Sequence, residues 1–139
     1  MRVMVLVKAN EESEAGVLPS ERLFTEMMAF NEDLVKAGVM LAGEGLHASS
    51  KGKRVQWTKG RTIVKDGPFA ETKELVAGFW IWKVGSMDEA VEWARKIPNP
   101  DDRDVEVEIR PLFEAQDAAE LPAEVREKEQ RLRAQLDRK

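Results

Sequence analysis

The chain has no cysteine, no tyrosine and only one histidine among its 139 residues. Without cysteine there can be no disulfide, thiolate nucleophile, zinc ribbon or iron–sulfur ligand set, which fits a reducing compartment. A single imidazole, that of His47, excludes the common multi-histidine metal sites, so no metal is expected. Long apolar runs are missing too. Met1 to Lys8 is too short for the core of a signal peptide and no segment reaches membrane length, so the expectation is a cytoplasmic protein with no membrane contact. There is also no excess of positive charge. With 22 Lys and Arg against 26 Asp and Glu the net charge is −4, which gives no global field to gather phosphate backbone and argues against nucleic acid as a partner.

What is present is 42% hydrophobic and 35% charged residues, a balance that suits one folded, water-facing domain. Arg2 to Lys8 (RVMVLVK) is Val-rich and apolar on both faces, the pattern of a covered central strand. After a polar stretch, Asn10 to Pro19, read as a loop, Ser20 can cap a helix in which Leu23, Met27, Phe30 and Leu34 recur at helical spacing, with Gly38 as its stop. Val39 to His47 reads as a second strand, in which Gly43 and Gly45 mark either a bulge or a close approach to a ligand. Lys53–Thr58 and Arg61–Asp66 pair as a hairpin across Lys59-Gly60. Leu75 to Val84 is another strand apolar on both faces. Ser86-Met87-Asp88-Glu89 forms a capping box for a helix running through Ala90, Val91, Ala94 and Ile97. Val105, Val107 and Ile109 alternate with polar residues in a last strand, and Pro122 to Leu136 reads as a charged terminal helix.

This order predicts an α+β fold: a ferredoxin-like split βαβ sandwich over residues 1–114, with an inserted hairpin, followed by a charged helical extension over 115–139. In that plan the helices cover one face of the sheet. The apolar second face then needs a cover, supplied either by a second copy of the chain or by the terminal helix.

Asp66 to Glu74 reads DGPFAETKE. Together with the Val-rich opening strand, the GEGLHASSKG stretch from Gly43 to Gly52, the aromatic strand that follows and the SMDEAVEW helix start, this nonapeptide resembles the signature of the YCII-related family, specifically its DGPF subgroup. The resemblance implies a dimeric α+β barrel and a cleft in which a His–Asp pair acts. It also implies two functional classes. One is a homodimeric small-molecule binder, with enzyme status open, that uses no cofactor and acts on a small organic acid. The other is a non-catalytic interaction module associated with an extracytoplasmic-function sigma factor.

The candidate catalytic residues are His47 and Asp66. If Asp66 accepts the proton on one ring nitrogen of His47, the other nitrogen is oriented as a general base. Asp-Gly-Pro is equally a turn sequence in which aspartate bonds the following backbone, and both readings can hold together. Phe69 would wall the site with apolar surface, and Glu71 and Lys73 would form a polar rim, making these three the candidate substrate-binding residues. Ser49 and Ser50 read as loop rather than as nucleophiles. The cations Lys51, Lys53, Arg54, Lys59, Arg61 and Lys65 gather on the hairpin, as a solvated face or as an attraction for a small anionic metabolite. The four tryptophans read as core or interface.

Overall fold

Alternation in the first strand decides which side of the sheet is covered. In the computed structural model, which describes residues 1–138, β1 (Arg2–Lys8) buries Val3 and Val5 completely while Met4 and Leu6 between them stay partly open. A short α1 (Glu11–Glu14) follows, then α2 (Glu21–Lys36), β2 (Met40–Gly45), the hairpin β3 (Lys53–Thr58) and β4 (Arg61–Asp66), β5 (Val76–Lys83), α3 (Met87–Ala94), β6 (Val107–Pro111) and α4 (Ala123–Asp137). The main sheet has the order β2-β5-β1-β6 and is antiparallel throughout, and β3-β4 forms a separate two-stranded sheet. This is the α+β, ferredoxin-like arrangement with an inserted hairpin that the element order predicts.

The helices start where the sequence supplies caps. The Ser20 hydroxyl accepts from Leu23 N at 3.1 Å and the Ser86 hydroxyl from Glu89 N at 3.1 Å, each satisfying an otherwise orphaned amide of a first turn. Both helices lie on one face of the sheet. Phe30 and Leu34 of α2 and Ala90 of α3 pack with Val3, Val5, Trp80 and Trp82, and Val107 and Ile109 of β6 complete the layer. Phe30 meets Trp80 edge-on at 5.8 Å between ring centres, and the Trp80 indole N–H donates to Asn31 Oδ1 at 2.9 Å.

Several expectations change in detail. Asn10 to Pro19 is not all loop. Asn10 and Ser13 cap each other's backbone amides and support the single helical turn of α1. β2 ends at Gly45, so His47 lies in the loop beyond the strand rather than at its end. The bulge of β2 falls before its two glycines. The register shifts between Met40 and Ala42, a bulge, and a Cβ on Gly43 would sit 2.8 Å from Trp80 Cδ1 and 2.7 Å from Met40 Cε. That glycine makes room for a core indole rather than for a ligand. Val105 lies outside β6 and is exposed. Of the tryptophans read as core or interface, Trp57 lies outside the core, at 76% exposure on one chain.

The second face of the sheet carries Met4, Leu6, Phe79, Ile81 and Ala42, all partly open. The terminal helix does not cover it: α4 buries no residue, and it sits by a small cleft lined by Arg2, Phe113 and Glu114. No helix among the described residues is long and apolar enough to cross a membrane.

Candidate functional site

The DGPF turn is held against the loop that carries His47 by backbone contacts only small residues allow. Gly67 N donates to Gly52 O at 3.0 Å. Its α-carbon lies so close to Ser49 that a Cβ there would stand 1.7 Å from the Ser49 carbonyl oxygen, so no other residue fits without moving one segment off the other. The Gly67-Pro68 peptide is cis. Phe69 N then donates to Ser49 Oγ at 3.1 Å, and Glu14 of α1 accepts from Ser49 N at 2.9 Å and from the Ser49 hydroxyl. The loop, the turn and α1 therefore meet at one serine, whose hydroxyl both donates and accepts.

Asp66, the last residue of β4, is directly opposite Lys53 in the hairpin register and forms an ion pair with its ammonium. His47 is exposed and takes part in no hydrogen bond among the described residues. The structure thus brings together the two segments that carry the candidate pair, with the Asp66 carboxylate turned to Lys53. Phe69 is half-buried, with the Arg54 guanidinium stacked 4.0 Å above its ring centre, so it walls the turn beneath a cation. Glu71 adopts the left-handed region at φ 63° and opens the single helical turn Thr72–Glu74 that contains Lys73. Both side chains are exposed, as a rim requires.

The electrostatics of the site come from the hairpin. Arg54 stands directly opposite Lys65, two cations on one face with no carboxylate between them. Such a pair beside the Phe69 ring attracts an anion. Among the described residues no three histidine, aspartate or glutamate side chains converge as a metal-ligand set. Two clefts lie elsewhere. One, of about 520 Å³, is lined by Glu26, Phe30, Asp33, Trp93 and Lys96, and the other, of about 180 Å³, by Arg2, Phe113, Glu114, Arg126 and Arg133. Neither is lined by His47, Asp66 or Phe69, so on one chain the site is a surface junction rather than an enclosed pocket.

Two residues of this junction escaped the sequence reading. Glu14 was hidden in a stretch read as loop, although the Asn-x-x-Ser pattern at Asn10 was a usable cap signal. Arg54 was visible only as one of six hairpin cations, since nothing in its spacing points to Phe69, fifteen positions away.

The family model described as the YCII-related domain matches residues 1–116. An uncharacterised protein of Rhizobium meliloti (strain 1021) is 36% identical over 92 residues, which cover 66% of this chain and 74% of that one. Among solved structures, the 5-chloro-2-hydroxyhydroquinone dehydrochlorinase from Burkholderia phenoliruptrix AC1100, in complex with 2,5-dihydroxybenzoquinone, is similar with a TM-score of 0.42 and 13% identity over 81% of this chain and 94% of that chain.

Proposed function

Because the chain belongs to the YCII-related domain family, we propose that it binds a small organic acid where the His47 loop meets the DGPF turn and, as a homodimer, moves a proton on that acid with His47 as general base. The observation that carries this reading is the packing of Gly67 on Ser49, which holds the only imidazole of the chain and a strand-end carboxylate on two segments clamped to each other. The Asp66–Lys53 ion pair is exposed on both sides, with side chains 75% and 66% accessible, and pairs of that kind contribute little. Asp66 can exchange Lys53 for the His47 ring at small cost. Its carboxylate then accepts a hydrogen bond from the N–H of one ring nitrogen and leaves the lone pair of the other aimed outward as the base.

The remaining residues take the roles their chemistry allows. Arg54 and Lys65 meet the carboxylate of the ligand, Phe69 packs against its carbon skeleton, and Glu71 and Lys73 form the rim. The open sheet face supports the homodimer reading: Met4, Leu6, Phe79 and Ile81 form an apolar strip there that a second copy would remove from water.

The test is a titration of the protein with a panel of small mono- and dicarboxylic acids, read on the C2–H resonance of its one histidine and on backbone amides. A saturable shift centred on His47, Phe69 and Lys65, and lost in Arg54→Ala, is the expected result. If no acid in the panel gives a saturable shift in the wild type, the binding reading is overturned.

A further inference from the structure

The β3–β4 hairpin stands apart from the main sheet with two unlike faces in water. In its register Val55 is opposite Val64 and Trp57 opposite Thr62, so these four share one face. That face is apolar and open: Trp57 is 76% exposed, Val64 60% and Val55 49%. A two-stranded ribbon is marginal by itself, and an exposed indole beside a pair of exposed valines gains nothing from water. The other face pairs Arg54 with Lys65 and Thr58 with Arg61. From Lys51 to Asp66 the sequence has six cations and one carboxylate, a local charge of +5, which leaves −9 on the rest of the chain. The arm is therefore complementary in charge to the body of its own kind.

The body also offers matching chemistry. Its open sheet face is apolar at Met4, Leu6, Phe79 and Ile81 and is bordered on β2 by Glu44, which lies opposite Phe79 and forms no ion pair among the described residues. We infer that the β3–β4 arm is a subunit clasp: its Val55–Trp57–Val64 face lies on a second copy of the chain, at the margin of that copy's open sheet face, with the arm's net charge of +5 drawn to that copy's acidic body. The inference rests on the homodimer reading and adds to it the residues that hold the two copies. A cationic ribbon with an indole also has the chemistry of a phosphate grip, but a body of −9 repels a nucleic acid duplex while it attracts this arm.

The absence of cysteine makes the test direct. Thr62→Cys places one thiol across from Trp57 on an exposed strand, and a photo-crosslinker attached there, in an equal mixture of ¹⁴N and ¹⁵N chains, reports which peptides the arm touches and in which copy. Mixed-isotope links to β1, β2 or β5 are expected, and links confined to the arm's own chain overturn the clasp. Sedimentation equilibrium separates the clasp from its premise. Trp57→Ser should weaken the dimer by about thirtyfold, the size of an interface anchor of this type, and Phe79→Arg should abolish it. A dimer lost in Phe79→Arg but unchanged in Trp57→Ser and in Arg54→Glu overturns the clasp and leaves the homodimer standing. A wild type that stays monomeric overturns the homodimer and the clasp with it. Retention of duplex DNA in a gel shift, lost in Trp57→Ser, would overturn the clasp in favour of a phosphate grip.

Discussion

Gly67 and Ser49 together fix how the DGPF turn sits against the loop that carries His47. A methyl group on Gly67 would collide with the Ser49 carbonyl, whereas Gly45 has open space where its Cβ would be. Gly67→Ala should therefore cost ~1–3 kcal/mol, as overpacking does, and should shift the amide signals of residues 47–52, while Gly45→Ala leaves those signals in place. Thermal melts and amide spectra of the two variants decide this, and an undisturbed Gly67→Ala would show that the junction is loose. Ser49→Ala removes the acceptor of Phe69 N and a donor to Glu14. It should cost ~1–3 kcal/mol because partly buried groups lose their partners, with Glu14→Gln costing less, since an amide still accepts. Legibility at this scale was uneven. The DGPF residues announce a turn through Asp, Gly and Pro, but the serine that receives the turn looks like any loop serine, because its role depends on a contact between segments far apart in sequence.

Among the elements, α4 buries no residue, and the turn that leads into it is tied to β1 by charge. Arg2 Nε donates to Glu114 Oε1 at 2.9 Å, just ahead of the Glu114-capped turn that leads into the terminal helix. The Arg2 guanidinium, through this hydrogen bond, holds the Glu114 carboxyl below its ordinary range, and Arg110 and Lys8 do the same for Glu108. A carboxyl whose pKa is lowered on folding adds stability above its unfolded pKa, and that stability is lost as pH falls through the folded value. Near neutral pH, Glu114→Gln should melt slightly below the wild type and show faster amide exchange in α4. In acid below the lowered carboxyl range the two should coincide. A gap that persisted in acid would assign Glu114 a role independent of its charge. The helices and the hairpin were legible because caps, 3.6-residue spacing and a Lys59-Gly60 turn are local signals. α1 was not, because four residues are too few to show a period, and neither was the true start of β6, where Val105 continues the alternation without a neighbouring strand to pair with.

For the whole molecule, element order points to the same answer as the structure, a main sheet with two helices on one face and a separate hairpin, whereas the second face, expected under a second copy or the terminal helix, is left open by the terminal helix. Leu34, fully buried against Val3, Val5 and Trp82, tests the covered face. Leu34→Ala should lower stability by ~2–5 kcal/mol in denaturant titrations. A loss far below that would mean the layer between α2 and the sheet is not packed as described. What the sequence could not convey is that the hairpin projects from the domain with its tryptophan in water, since alternation looks the same whether a strand face meets a core, a partner or solvent.

The central claim is that His47 and Asp66 work as a pair. It is tested most directly by long-range ¹H–¹⁵N spectra of the single imidazole at a pH where the ring is neutral, in the wild type, in Asp66→Asn and in Lys53→Gln. One dominant ring tautomer is expected in the wild type, a stronger bias in Lys53→Gln, where Asp66 has lost its competing cation, and a return toward the solution mixture in Asp66→Asn. Identical tautomer populations in all three proteins would contradict it.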